Sequence, residues 1–435
     1  EAWNTTYGNK QRTAGGQIYF GTVLEHILIQ NLCAFYDVGE HNEMKLHGAD
    51  WNDALDMAWD KGESVAFTCA YAGNLLDIAK CLRNVEKISG INRIEVLDEL
   101  KLLLADDEIL YNCPDKKQEL LMSYAKACEN CTSGGTVLVP IAAICENLEH
   151  KAEWMMKNIR ANEWVKDGED GTDGGWFNGY YDNNGRPVER CESGDVRMML
   201  TGQVFAIMSG TAKKEQIKAI CNSADKYLFD QKAGGYRLNT DFKEEKFDLG
   251  RMFGFAYGEK ENGAVFSHMA VMYANALYKQ GFIKEGYKVL KTLLDTAMDF
   301  DRSRMYPGVP EYFDNDGRGL YSYLTGAASW YMLTMITSVY GVHGELGDLV
   351  IEPALMPQQY NEKGDAKVSL EFAGHGFDIL VHNPDKLEPG DTHVKRALCD
   401  DVKVENVTGN SVRIPKHAIE MLSTDKCHTV EIYIE

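Results

Sequence analysis

Residues 250–280 read GRMFGFAYGEKENGAVFSHMAVMYANALYKQ. The first half is a loop rich in Gly and aromatic residues. From Val265 to Gln280 apolar residues recur at helical spacing, which predicts a helix. The same succession, a polar-aromatic loop running into an apolar helix, recurs from about residue 15 to 340, with no fixed period. Long helices are predicted over Gln17–Tyr36, Ser64–Glu86 and Val139–Arg160, and shorter ones near 115–130, 200–230, 283–299 and 323–340. Pro140 fits the first turn of its helix, where a missing N–H costs nothing. The loops between them include HGADWNDALDM (47–57), DGEDGTDGGWFNGYYDNNG (167–185) and RSRMYPGVPEYFDNDGRGLYSYLTG (302–326). Helices alternating with loops of this length read as an α/α barrel, and such loops are uncommon without a functional reason.

The pattern changes near residue 341. GDLVIEPAL, AKVSLEFAG, FDILVHN, CDDVKVENVTG, SVRIPKHAIEM and CHTVEIYIE are short runs rich in Val and Ile, bounded by Gly, Asn, Asp and Pro. They predict strands of a small antiparallel β-sandwich. The expectation is a mainly α domain at 1–341 and a β-sandwich at 342–435, joined at YGVHGELGD.

The 435 residues carry 45 Lys+Arg against 66 Asp+Glu, a formal charge of −21. That balance argues against nucleic acid or an anionic membrane surface as a partner. No stretch of about 18 apolar residues is free of charge, so no membrane span is predicted. Chain start Glu1 lacks a Met, which suggests a piece of something longer. The eleven cysteines are irregularly spaced. Free thiols in a reducing compartment, the cytoplasm, are the expected reading. Cys128 and Cys131 form a CxxC without a second pair or a nearby His pair to complete a zinc site.

Candidate chemistry lies in the loops. LHGADWNDALDM gathers Asp50, Trp51, Asn52 and Asp53. An indole face can stack on a pyranose, and an apolar wall raises the pKa of a neighbouring acid. Taken alone, the tetrapeptide reads equally as an N-cap Asp beside a packed Trp. GEKENGAVFSH supplies Lys260, Glu261 and His268 around a loop-to-helix junction, where they could bind sugar hydroxyls or an oxyanion; a satisfied core histidine is the alternative. YLTGAASW places Thr325 and Gly326 at a helix start, suited to an anion or simply to capping. Trp176, Tyr180, Tyr181, Tyr306 and Tyr312 suit carbohydrate stacking or core packing. There is no GxSxG, P-loop, GxGxxG after a strand or HExxH.

Read in order, TVLEHILIQNLCAFYDVGEHNEMKLHGADWNDALDM, GESVAF, GGWFNGYYDNNG, KENGAVFSH, SRMYPGVPEYF, GRGLYSYLTGAASW and GDLVIEPAL resemble the inverting β-glycoside phosphorylases of glycoside hydrolase family 94. The resemblance is collinear over about residues 15–360. It implies an (α/α)6 barrel, incomplete at its N-terminal side, followed by a β-sandwich, acting with no cofactor and with inorganic phosphate as co-substrate. It implies Asp53 as general acid, and Trp51 with its neighbours Asp50 and Asn52 lining the donor-sugar site. Lys260 and Glu261 would contact substrate hydroxyls; Trp176 is taken as a substrate-binding residue from the aromatic density of its own loop. His268, Thr325 and the Gly326 backbone would hold phosphate.

The expected reaction is phosphorolysis of a β-linked gluco-oligosaccharide to α-glucose 1-phosphate and a chain shortened by one sugar. TGQVFAIMSG at 201–210 and FGFAYGEKENG lean towards oligoglucan-acting members, while linkage stays open between β-1,2, β-1,3 and β-1,4. Family members are longer, so a missing N-terminal portion or a partner chain is expected, and a homodimer stays open. An inverting hydrolase, with Glu261 or Glu311 as base, and a non-catalytic carbohydrate-binding chain are the alternatives.

Overall fold

The computed structural model describes residues 10–47, 53–168, 174–192, 194–306, 308–323, 325–390 and 392–435. Asp50, Trp51 and Asn52 lie outside the described residues, as does the side chain of Asp53. The chain forms two compact units, one of Glu1–Leu228, Asn239–Tyr257 and Glu261–Gly263, the other of Phe229–Leu238, Gly258–Lys260 and Ala264–Glu435.

The first unit holds α1 (Val23–Tyr36), α2 (Val65–Ser89), α3 (Pro114–Ala127), α4 (Ile141–Asn162), α5 (Leu200–Met208) and α6 (Lys214–Tyr227). Its largest core joins Leu28, Leu32 and Phe35 of α1 to Ala72 and Leu75 of α2 and Ile144 and Leu148 of α4. Each such fully buried aliphatic side chain contributes about 1.5–3 kcal/mol. α1 begins at Val23 rather than Gln17, because Thr22 and Glu25 close a capping box. Thr22 Oγ1 accepts from Glu25 N at 3.1 Å, and Glu25 Oε2 from Thr22 N at 2.7 Å. α2 is capped by Ser64 and stopped at Gly90, whose φ of +72° ends the helix. By length and composition α2 could cross a membrane, but half of its apolar window is buried, as in a core helix. Pro140 precedes α4 as its N-cap and closes the strand Thr136–Pro140, one step short of the expected first turn.

The second unit contains α7 (Ser267–Lys279), α8 (Ile283–Met298) and α9 (Gly326–Thr334), which ends in a π-turn at Met335–Val339. Its strands are β1 (Val342–Glu345), β2 (Asp348–Ile351), β3 (Asp365–Phe372), β4 (His375–His382), β5 (Val394–Cys399), β6 (Val402–Lys403), β7 (Val407–Thr408), β8 (Ser411–Ile414) and β9 (Cys427–Ile434). They form sheets in the orders β1-β2-β8-β7 and β3-β4-β9-β5-β6. One core of Val342, Leu349, Ile351, Phe377, Ile379, Val412, Val430 and Ile432 serves both sheets. Buried residues alternate along β4 and β9, as a half-buried strand requires.

Two expectations are corrected. The fold is mixed rather than mainly α, because small antiparallel ribbons join the helices: Met44–Lys45 with Glu63–Ser64 and Tyr180–Tyr181, Arg93–Leu97 with Thr136–Pro140, and Val265–Phe266 with Tyr312–Phe313 and Gly319–Leu320. Strands of two residues are too short to show a period, which applies to all of these except the five-residue pair Arg93–Leu97 and Thr136–Pro140. The second sheet is also not wholly antiparallel, since β4 and β9 run parallel from Gly376↔Cys427 to His382↔Tyr433. The chain between them passes through β5–β8, the long crossover a parallel pair needs.

Glu189 is buried in the first unit, where Met199 N donates to its Oε1 at 2.7 Å and Gly179 N to its Oε2. Burial nevertheless pushes its carboxyl well above the ordinary range. A carboxyl raised on folding stabilises below its unfolded pKa, and that contribution is lost as pH rises through the raised folded value. Glu189→Gln, which stays neutral, should therefore melt progressively higher relative to the parent as pH rises from about 5 to 8. A melting difference independent of pH would refute this.

Candidate active site

In the second unit the ribbon Val265–Phe266 pairs with Tyr312–Phe313, and Ser267 N donates to Glu311 O at 2.9 Å. This register brings the first turn of α7 beside Glu311, a residue far away in the sequence. Ser267 Oγ, His268 Nε2 and Glu311 Oε2 are all buried without a hydrogen-bond partner among the described residues. Three such atoms on neighbouring residues are costly unless water or a ligand satisfies them. Glu311 Oε2 also lies 3.7 Å from Lys260 Nζ, which stands 3.8 Å over the ring centroid of Tyr321. Lys260 and Tyr321 both adopt positive φ, +49° and +60°. Left-handed backbone at two non-glycine residues facing each other is strain of the kind found at binding sites.

His268 rests on the start of α9. A Cβ on Gly326 would fall 2.7 Å from the ring's Cε1 and 2.8 Å from Nδ1, so only glycine allows this approach. Trp330 flanks the ring with centroids 6.0 Å apart. Burial holds the His268 pKa below its ordinary value, which favours the neutral imidazole. Thr325 caps α9, its Oγ1 accepting from Ala327 N at 3.3 Å. The capping role expected of an isolated Thr is therefore met. A helix N-terminus with an imidazole on it can receive an anion.

In the first unit Asp53 opens a 3-10 turn, Asp53–Leu55. Ala54 and Leu55 are buried in a core with Leu46, Ala58, Met252 and Phe253. Gly250 packs so closely that a Cβ there would lie 2.0 Å from Ala54 O, and Arg251 N donates to Asp56 Oδ1 at 2.9 Å. The turn is thus held by packing and by the bond from the Arg251 backbone to the Asp56 carboxylate. Glu261 has a buried carboxylate oxygen, Oε2, with no partner among the described residues. Its neighbours are pinned by Gly263 N donating to Asn239 Oδ1 at 2.8 Å and Asn262 Nδ2 to Phe255 O at 2.8 Å.

Trp176 is corrected from a sugar-stacking residue to a core residue. It is 0% exposed, its Nε1 donates to Arg197 O at 3.1 Å, and Tyr227 covers it edge-on at 5.7 Å. A Gly- and aromatic-rich loop looks the same in sequence whether its indole faces a ligand or the interior. Trp176→Ala should cost about 3–5 kcal/mol in denaturant unfolding. If it instead weakened oligosaccharide binding at unchanged stability, the core placement would be wrong. Tyr180, Tyr181 and Tyr312 are likewise buried, whereas Tyr306 is exposed.

Sequence reasoning overlooked Ser267, whose importance comes from pairing with Glu311 and has no local signature. It also overlooked the buried carboxylates Glu43, Glu63, Glu163 and Glu189. Of these Glu43, in the segment ending in DWNDALDM, and Glu63, inside GESVAF, stood in quoted motifs.

Residues 141–341 match the model of the glycosyl hydrolase 94 superfamily, catalytic domain. Over those residues the chain is similar to the catalytic domain of this family. It is 29% identical over 261 residues to the cellobionic acid phosphorylase of Neurospora crassa, covering 55% of this chain and 31% of that protein. It is 23% identical over 394 residues to the solabiose phosphorylase of Paenibacillus borealis, covering 88% of this chain and 42% of that protein. The chain therefore spans less than half the length of these relatives. A solved GH63 mannosylglycerate hydrolase from Thermus thermophilus aligns with 15% identity over 59% of this chain and 49% of that one, with a TM-score of 0.30, too low to define the fold.

Proposed function

We propose that this chain is the catalytic portion of an inverting phosphorylase acting on β-linked gluco-oligosaccharides, with its helices forming part of an (α/α)6 barrel. An upstream portion of the polypeptide or a partner chain completes the working enzyme. Asp53 is the general acid. Phosphate is held by His268, Thr325 and the Gly326 backbone, while Lys260 and Glu261 contact sugar hydroxyls together with Asp50, Trp51 and Asn52.

In the reaction a phosphate oxygen forms a bond to the anomeric carbon from one face as the glycosidic C–O bond breaks on the other. The bond's electron pair leaves with the glycosidic oxygen, which takes the Asp53 proton. The products are α-glucose 1-phosphate and an oligosaccharide one residue shorter. Phosphate is already an anionic nucleophile, so no carboxylate base is needed, unlike in an inverting hydrolase. A dianion must however be attracted into a protein of charge −21, which leaves the task to local donors.

The observation that carries this reading is the buried Nε2 of His268, without a partner among the described residues, on the glycine that starts α9. The phosphorylase names of the relatives support it. The test is release of glucose 1-phosphate from sophoro-, cello- and laminari-oligosaccharides by the complete polypeptide. Release that depends on added phosphate is expected. Free glucose without phosphate would mean a hydrolase, and neither product a binding chain.

A further inference from the structure

GESVAF remains unexplained by the phosphorylase reading, yet its Glu63 is among the most tightly held carboxylates in the first unit. It sits in the middle of the ribbon Met44–Lys45, Glu63–Ser64, Tyr180–Tyr181, opposite Lys45 on one side and Tyr181 on the other. The segment 46–62, which carries Asp53, leaves this ribbon after Lys45 and returns just before Glu63, where Leu46 N donates to Gly62 O at 3.0 Å. The side chain of Glu63 is 1% exposed. Its Oε1 accepts from His41 Nδ1 at 2.8 Å and His41 N at 3.1 Å, and its Oε2 from Glu43 N at 3.0 Å and His41 N at 3.2 Å. It thereby plugs the turn Gly39–Glu43, closed by Gly39 N donating to Glu43 O at 2.9 Å. Gly39 is needed for this approach, since a Cβ there would lie 2.4 Å from Glu63 Cδ.

The brace continues outward. The His41 ring stacks on Tyr181 with centroids 3.7 Å apart and planes 13° from parallel. Tyr181 OH donates to Glu163 Oε1 at 2.8 Å. At the far end of the segment, Asn183 Oδ1 accepts from Asp60 N at 2.9 Å and Lys61 N at 3.2 Å. Hydrophobic packing of Ala54, Leu55 and Ala58 can hold the segment against the core but does not set its register. A two-residue strand pair has little of its own register energy, and a slip by one residue would turn every side chain over. Directional bonds oppose a slip: Asn183 and Asp56 hold the segment itself, and those of Glu63 tie the ribbon strand it returns to onto the turn Gly39–Glu43.

We propose that Glu63, with His41, is a positioning residue that sets the register of the acid-bearing segment and so the place of Asp53. This rests on the reading of Asp53 as general acid. A displacement of about 1 Å in a catalytic group costs on the order of 10²-fold in rate. The brace thus acts on turnover without touching substrate.

Two variants test it: Glu63→Gln, and His41→Phe, which keeps the stack on Tyr181 but removes the Nδ1 donor. In this chain, amide hydrogen exchange over 46–62 should quicken about tenfold in both, with α4 unchanged, as expected for loss of a buried hydrogen bond. In the complete polypeptide, kcat should fall about 10²-fold with both substrates' KM within about twofold. His41→Asn, which restores a donor near the Nδ1 position, should recover most of kcat. Should Glu63→Gln fail to fold, His41→Phe decides alone. Unchanged exchange over 46–62 in His41→Phe, or unchanged kcat, overturns the proposal. If the complete wild-type polypeptide releases no glucose 1-phosphate, the phosphorylase reading fails instead, and exchange still decides whether the brace exists.

Discussion

Replacing Asp53 by Asn in the complete polypeptide is expected to lower phosphorolysis by about 10²–10⁴-fold, the range that a positioned general acid contributes. The leaving oxygen of an unactivated sugar is a poor anion, and without a proton the glycosidic bond has little tendency to break. The same variant should act almost normally on a β-dinitrophenyl glucoside, whose leaving group departs without protonation. The pairing of a lost natural reaction with a retained activated one separates an acid role from a general loss of the site. Melting should be unaffected, because packing of Ala54 and Leu55, together with the Arg251 N to Asp56 bond, holds the turn. Near-normal turnover of oligosaccharide by Asp53→Asn would refute the assignment.

The second large effect concerns phosphate. His268→Ala should raise the phosphate KM about 10- to 100-fold, the loss of one hydrogen bond to a charged partner, while leaving the oligosaccharide KM nearly unchanged. Gly326→Ala is the more telling variant. It removes no functional group, but its added methyl would lie 2.7 Å from His268 Cε1, so the ring must move off the start of α9. Its phosphate KM should also rise by about tenfold or more. If either variant instead raised the oligosaccharide KM alone, His268 would belong to the sugar site.

Several parts of the fold can be read directly along the chain. The apolar period of α2 and α4 stands out because their buried residues recur every three or four positions. The strands after 341 stand out because His428, Val430, Ile432 and Ile434 of β9 alternate with more exposed neighbours. Helix starts depend on side-chain capping, and the Thr22–Glu25 box is visible in TVLE from the residues alone. The candidate site is legible only as separate pieces. Asp53, Lys260, Glu261, His268, Thr325 and Gly326 each lie in a motif, but each motif alone admits a capping or core role.

What the sequence determines by itself is therefore local: helices with an apolar stripe, alternating strands, and collinear motifs that resemble those of a known family. The tertiary structure decides what depends on distant partners. It buries Trp176 under Tyr227 and on Arg197 O, runs β4 parallel to β9, sets Ser267 against Glu311, and lays His268 on Gly326. The physical reason is range. Periodicity and capping arise from residues within one or two turns of each other, whereas burial of a loop side chain and the pairing of orphaned polar atoms are set by segments that meet only when the chain has folded.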